Sequence, residues 1–534
     1  MGQVQDQSDV IALLADPASH GGASVSRIDT HGAHVFLAGD LVYKLKRAVW
    51  YPYMDFSTPA LRRQACMAEL ALNRRTAPEL YLGVGAIQAD PSGRLVLVRD
   101  DLPDDAVDWV VIMRRFDDTA TFDHLAADGR LTPALVDRLA EAIADFHLEL
   151  SPVIDAAATL PLEDIVEENL TELAAAPATF PAADVATLAE RSHAALRSTA
   201  ERRDRRRQAG LKRRCHGDLH LRNICLIDGR PVLFDALEFD DRLATIDVFY
   251  DLAFMIMDLE FQGLSGAANR LLNRYLERTA DYEGLAALPL YLSARAAIRA
   301  KVGASLVQLA EDDAAASAVE AEARRYFDLA LAVLVVPSPM LLAVGGFSGT
   351  GKTTLARGLA TALGGQPGAV VLRSDGIRKA IAGVAEDETL PTDFYTPEHR
   401  AAVYAALEDR AAAVLSTGAA VIADAVFGTA AERDSLRRVA EAAGADFVGL
   451  WLSADTEILT DRVTVRTGDA SDATAAVVAR QVQLLSGPED WLWIDAGGGR
   501  QETLAKAATA LGPFCRAQSA PGDSRQRKAV DFGQ

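Results

Sequence analysis

The stretch that decides the fold of one half of the chain reads Leu341-Leu342-Ala343-Val344-Gly345-Gly346-Phe347-Ser348-Gly349-Thr350-Gly351-Lys352-Thr353-Thr354-Leu355. An apolar run with strand character feeds the pattern Gly346-x-x-x-x-Gly351-Lys352-Thr353, and a helix start follows. Strand, glycine-rich turn and helix in that order make a phosphate loop. Its backbone N–H groups close around phosphate oxygens, and the helix N-terminus adds a favourable dipole. Gly346, Ser348, Gly349, Thr350, Gly351, Lys352, Thr353 and Thr354 are therefore the candidate nucleotide-binding residues. Lys352 is expected to reach the β- and γ-phosphates, and the Thr353 hydroxyl to bind Mg²⁺.

Downstream, apolar runs at Ala369 to Leu372, Ala420 to Ala423, Phe447 to Leu452 and Leu492 to Ile494 alternate with helical segments. That rhythm predicts a parallel sheet with covering helices, an α/β domain over 341–515. Carboxylates at the strands' C-terminal ends face the active crevice of such a sheet. Asp375, in Ser374-Asp375-Gly376-Ile377-Arg378, is placed to orient or deprotonate an acceptor hydroxyl, with Arg378 clamping an anionic group. A helix N-cap is the competing reading of Asp375. Asp424 closes a short apolar strand and is expected on the metal shell. Arg462 and Arg466 stand four apart where a lid would lie, and lid arginines stabilise charge on a transferring phosphoryl group. A surface salt-bridge network is the alternative for them.

About 130 residues before the loop stands a second signature, Cys215-His216-Gly217-Asp218-Leu219-His220-Leu221-Arg222-Asn223. It fits H-x-D-x-x-x-x-N, and Asp235 follows at the end of an apolar run. Phosphoryl transfer demands positioning rather than covalent chemistry. One carboxylate must hold the acceptor hydroxyl in line, while a second carboxylate and an amide hold Mg²⁺. A loop carrying Asp218 and Asn223, beside a hairpin carrying Asp235, supplies that set. His216 and His220 could also be read as metal ligands four apart. The glutamate of H-E-x-x-H is missing, however, and Gly217 discourages a helix.

His216-Gly217-Asp218-Leu219-His220 with Asn223, then Leu233-Phe234-Asp235, resembles the aminoglycoside phosphotransferase and choline kinase branch of the protein-kinase-like fold. The resemblance implies an α+β domain over 1–336, Asp218 as catalytic base, and Asn223 plus Asp235 as metal ligands. It also implies a supporting role for Asp251 beneath the catalytic loop. The ATP-holding lysine belongs on the third strand, paired to a helix glutamate. Lys44 with Glu69 is the assignment, and Lys46, on the same strand face, is the alternative. The glycine-rich loop of protein kinases is absent. Only Thr30-His31-Gly32-Ala33 occupies the first candidate hairpin. The second half is similar to small P-loop kinases, among them gluconate kinase, zeta toxin, chloramphenicol phosphotransferase and the kinase domain of polynucleotide kinase. The order of the halves resembles bacterial two-domain proteins that join an aminoglycoside-phosphotransferase-family domain to an ATP-binding kinase.

Composition agrees with two soluble modules. The chain has 534 residues, half of them hydrophobic, and a net charge of -21. That is too long for one ordinary core. The acidity argues against a large polyanionic partner, because a phosphate backbone needs a basic footprint. No run of about 18 apolar residues predicts a membrane span, and the first residues lack a signal peptide's basic start and apolar stretch. The cysteines Cys66, Cys215, Cys225 and Cys515 form no CxxC pair, so a reducing cytoplasm is the expected compartment. Arg202 to Arg207 reads as a solvated basic helix face. Pro337 to Met340 reads as a linker, and 516–534 as a disordered tail.

These observations predict an ATP- and Mg²⁺-dependent phosphotransferase acting on small-molecule hydroxyls, with two nucleotide sites. Two alternatives stand beside it. In one, a single active kinase is regulated by ATP binding at the other domain. In the other, the second half is a polynucleotide 5′-kinase or toxin-like module.

Overall fold

Alternating apolar residues from Val25 onward build the first sheet. The structure is a computed structural model that describes residues 5–51, 54–100, 102–155, 159–307, 312–385, 388–465 and 473–517. Helix α1 (Ser8–Ala15) precedes strands β1 (Val25–Asp29), β2 (Ala33–Ala38) and β3 (Leu41–Lys46). A short hairpin, β4 (Trp50–Tyr51) and β5 (Met54–Asp55), leads to helix α2 (Pro59–Asn73). Thr58 caps that helix through its hydroxyl, and Pro59 opens the first turn, where its missing N–H costs nothing. Strands β6 (Tyr81–Ala89), β7 (Leu95–Val98) and β8 (Asp108–Arg114) complete an antiparallel sheet of order β1-β2-β3-β8-β6-β7.

Period two divides the side chains of β2, β3 and β8 between two cores. Phe36, Tyr43, Leu45, Val110 and Ile112 pack with Val10 and Leu14 of α1. Val42, Val111 and Met113 pack on the other face with Cys66 of α2 and with Cys225 and Val232. Lys44 and Lys46 belong to this second face by the same alternation.

Helices α3 (Phe122–Ala127), α4 (Pro133–Glu149), α5 (Leu162–Ala174) and α6 (Ala182–Gln208) follow. The basic run at the end of α6, expected as a solvated face, leaves Arg205 exposed but not Arg206. Arg206 is fully buried, with a two-pronged bond to Asp247 at 2.8 Å and its guanidinium over the Phe249 ring. Strand β9 (Lys212–Arg214), the hairpin β10 (Ile224–Ile227) and β11 (Arg230–Leu233), helix α7 (Asp241–Ala244) and strand β12 (Thr245–Asp247) come next. Helices α8 (Val248–Phe261), α9 (Ser265–Thr279), α10 (Leu288–Leu306) and α11 (Asp313–Val333) close the first half of the sequence.

The phosphate-loop half is a five-stranded parallel sheet of order β14-β15-β13-β16-β17. Its elements are β13 (Met340–Gly346), α12 (Lys352–Ala360), β14 (Val370–Arg373), α13 (Ser374–Ala382), α14 (Pro397–Leu415), β15 (Val421–Asp424), α15 (Ala430–Ala442) and β16 (Asp446–Ser453). They continue through α16 (Thr456–Val465), α17 (Ala475–Leu484), β17 (Leu492–Asp495) and α18 (Arg500–Ala517). Leu342, Val344, Ile422, Leu450 and Leu452 form the centre of its core against Leu355, Leu359 and Leu511.

The chain divides into two compact units, 1–165 with 204–258, and 166–203 with 259–534. In the second unit, α9 covers the outer edge of β14. Asn269 Nδ2 donates to the Ala369 carbonyl at 3.0 Å, and the Val371 N–H donates to Asn273 Oδ1 at 2.7 Å. Side-chain amides thus take the place of a neighbouring strand. Among the described residues no helix is long and apolar enough to cross a membrane. The tail 518–534 lies outside the described residues.

Candidate active sites

In the first unit the catalytic-loop motif and Asp235 are brought together by the hairpin. Ile224 pairs with Leu233, so Asn223 and Phe234 flank the same end of the ladder. The Phe234 N–H donates to the Asn223 carbonyl at 3.0 Å. Asn223 Nδ2 donates to both the carbonyl and Oδ2 of Asp218, each at 3.0 Å. His216 is buried, which lowers its pKa and keeps the ring neutral. Its Nε2–H donates to the Phe234 carbonyl at 2.9 Å, so it is spent on the loop rather than on a metal. Asp251 holds the loop from below. It accepts from the His216 N–H at 3.1 Å, the Gly217 N–H at 2.8 Å and His147 Nε2 at 3.2 Å.

Asp235 has φ +61°, a left-handed conformation that a non-glycine residue adopts only when its surroundings impose it. Three side chains do so. The Asp235 N–H donates to the Tyr81 hydroxyl at 3.1 Å, the Ala236 N–H donates to Asn73 Oδ1 at 2.8 Å, and the Thr76 hydroxyl donates to the Leu233 carbonyl at 2.7 Å. The bend turns the carboxylate onto Lys44, whose ammonium lies 2.5 Å from Asp235 Oδ1 and 2.9 Å from Glu69 Oε1.

Lys46 reaches the other oxygen of Glu69 and also pairs with Glu238. The result is a chain of alternating charge, Asp235–Lys44–Glu69–Lys46–Glu238. Burial alone would push the Glu69 carboxyl up, but Lys44 and Lys46 outweigh it and hold it at about 2. Burial works against the Lys44 charge too, and Asp235 with Glu69 overcomes it, raising the lysine well above its usual range. Lys44 and Lys46 thus both serve Glu69, and Lys44 is the one in contact with Asp235. Glu238, Asn73 and Tyr81 carry no sequence signal beyond an acid three residues after Asp235.

In the second unit the parallel register sets the site. Val344, Asp424 and Arg373 are neighbours across β13, β15 and β14, so the phosphate loop and both acidic strand ends share one sheet edge. The Thr353 hydroxyl donates to Asp424 Oδ2 at 2.6 Å. Burial raises the Asp424 pKa, with Lys352, the Thr353 bond and Arg373 opposing the rise and Asp375 adding to it. Asp375 is therefore electrostatically coupled to the site. It is not the N-cap of α13, because Arg373 holds that position and Asp375 lies in the first turn. Arg378 donates to the Phe394 carbonyl at 3.1 Å and lies over the Tyr395 ring.

The loop itself is shaped for phosphate. Gly351 has φ +89° at the N-cap of α12, and a Cβ there would meet nothing within 4 Å, which leaves the mouth of the helix open. Gly349 has φ +86°, and a Cβ on it would lie 2.7 Å from the Leu459 carbonyl, so only glycine lets α16 approach. Lys352 Nζ and the Thr350 hydroxyl both donate to the Phe347 carbonyl, at 3.1 and 2.8 Å. Gly346, Ser348 and Thr354 complete the predicted set at the strand end, in the loop and in the first turn of the helix. The Phe347 ring stands edge-on to Trp451 with centroids 5.5 Å apart. These groups fit Mg²⁺ and a polyphosphate. Lys352 and the loop N–H groups would hold the phosphates, Thr353 and Asp424 the metal, which supplies charge neutralisation when bound.

Arg462 is engaged elsewhere. Its guanidinium donates to the carbonyls of Ala496, Gly497 and Gly498 at 2.8, 3.3 and 2.9 Å. The partners are backbone carbonyls, not the carboxylates of a surface network, and a lid role would require breaking all three bonds. Arg466 lies outside the described residues.

A kinase-like α+β fold with this charge chain, followed by a parallel sheet with a phosphate loop, defines a two-domain protein of phosphotransferase type. Residues 91–288 match the phosphotransferase enzyme family and residues 341–488 match an AAA domain family. The chain belongs to the family of the uncharacterized protein Rv2004c of Mycobacterium tuberculosis, to which it is 33% identical over 494 residues, covering 90% of this chain and 94% of the relative. The uncharacterized protein Mb2027c of Mycobacterium bovis aligns with the same figures, 33%, 90% and 94%. Among solved structures, a choline/ethanolamine kinase family protein from Mesorhizobium loti covers 61% of this chain and 98% of its own (17% identity, TM-score 0.38). A gluconokinase from Sinorhizobium meliloti covers 34% and 96% (22% identity, TM-score 0.26).

Proposed function

We propose that the protein transfers the terminal phosphoryl group of ATP, with Mg²⁺, to hydroxyls of small molecules, and that each half has its own nucleotide site. The observation that carries this reading is the Lys44 ammonium held between Glu69 and Asp235, beside a loop in which Asn223 is bonded to Asp218. Lys44 would hold the phosphates, and Asn223 with Asp235 the metal. Asp218 would orient the acceptor hydroxyl and take its proton as oxygen attacks phosphorus and the bond to the leaving diphosphate breaks. In the second half, Asp375 is the counterpart of Asp218 and Arg378 a clamp for an anionic group. The acidic chain favours small acceptors over nucleic acid, and buried thiols at Cys66, Cys215 and Cys225 suit a reducing compartment.

A metabolite library incubated with ATP and Mg²⁺, read by mass spectrometry for an added phosphoryl group, tests the proposal. Asp218→Ala and Lys352→Ala should each abolish a different product. Loss of one common product in both variants would replace two enzymes by one enzyme and a regulatory site. No phosphorylated product across a broad library would overturn the reading.

A further inference from the structure

The phosphate loop has a partner that its motif does not contain. The Ser348 N–H donates to Gln481 Oε1 of α17 at 2.8 Å. A backbone N–H can only donate, so the oxygen of the amide faces the loop. The same peptide unit is held at its other end, where the Phe347 carbonyl accepts from Lys352 Nζ and Thr350 Oγ1. Gln481 therefore fixes the orientation of the peptide that positions Lys352.

The placement of Gln481 is built into the packing. Val478, three residues earlier on the same face of α17, is fully buried against Leu459 and Val463 of α16, and Phe347 of the loop packs on this cluster. One turn after Gln481, the Leu485 side chain lies 2.6 Å from the position of a Cβ on Gly428, just beyond Asp424. Helix α17 and the residue that ends it thus touch the phosphate loop and the turn that follows β15. The Nε2 group of Gln481 makes no hydrogen bond among the described residues. It is a donor held beside the loop by the bond that Oε1 makes.

We propose that Gln481 is a ligand for the terminal phosphoryl group of a nucleoside triphosphate at this loop, donating from Nε2 while Oε1 holds Ser348. The inference rests on the reading of 346–353 as a nucleotide site. It makes Gln481 the residue that distinguishes a triphosphate from a diphosphate there.

The test is calorimetric titration of the full chain, with Mg²⁺, against ADP and against the β,γ-imido analogue of ATP. The isotherm component removed by Lys352→Ala reports this loop. Gln481→Glu keeps an acceptor for the Ser348 N–H but replaces the donor, and Gln481→Met removes both. A hydrogen bond to a charged oxygen is worth roughly 10- to 100-fold in affinity. Both variants should weaken the analogue by about tenfold or more relative to ADP. An unchanged ratio of analogue to ADP affinity in Gln481→Glu overturns the assignment while leaving the nucleotide site standing, whatever happens to the folding of Gln481→Met. A wild-type chain with no component sensitive to Lys352 overturns both.

Discussion

Glu69 shows how much one side chain carries in this protein. Its two oxygens receive two lysines, Lys46 fully buried and Lys44 only slightly exposed. Its pKa is depressed from the ordinary 4.5 to about 2, so in the folded state it stays ionised where the unfolded chain has taken up a proton. Its stabilising contribution is therefore complete above about pH 4.5 and is lost as pH falls through about 2. Glu69→Gln should lower stability at neutral pH by about 3 kcal/mol and flatten the acid limb of a melting-temperature profile. Asp424 has the opposite sign. Burial raises its pKa, yet a metal ligand must be ionised. Mg²⁺-dependent nucleotide binding at the phosphate loop should strengthen as pH rises through that raised value, and Asp424→Asn should remove the dependence. Titrations at several pH values would check it.

Among the elements, legibility followed pattern. The strand β3, the hairpin β10–β11 and the five parallel strands all announce themselves by alternation or by short apolar runs. Strand β6 does not, because Gly83 and Gly85 interrupt its alternation, and its pairing with β8 shifts register between Tyr81 and Gly83. Helix α1 has only eight residues, and Val10 and Leu14 tie it to the sheet. The motifs likewise expose Asp218, Asn223, Asp235 and the phosphate loop, whose spacing is local. They do not expose Tyr81, Glu238 or Gln481, which meet their partners across about 130 residues or more. Long-range partners leave no period or motif to read. Tyr81→Phe should leave the Asp235 N–H without its acceptor and relax the left-handed bend. A loss of about 1 kcal/mol in stability is expected, with weaker Mg²⁺-nucleotide binding in the first unit. An unchanged affinity would show that the bend is held by Asn73 and Thr76 alone.

At the scale of the whole molecule, the place to cut the chain differs from the place where its motifs change. The apparent linker at Pro337-Ser338-Pro339 separates α9 from the sheet edge that α9 covers. A fragment beginning at Pro337 would bare the outer side of β14, where Asn269 and Asn273 bond to Ala369 and Val371. Such an edge invites pairing between copies. The fragment should aggregate or melt well below the intact protein, as light scattering and calorimetry would show. Asn269→Leu with Asn273→Leu in the full chain should reproduce part of that loss.

The edge-on contact between Phe347 and Trp451 has a practical meaning of its own. A change in loop conformation alters the surroundings of an indole ring in the same unit, and tryptophan emission responds to such changes. Emission from Trp451 should therefore report on the phosphate loop, and Trp451→Phe should diminish that signal.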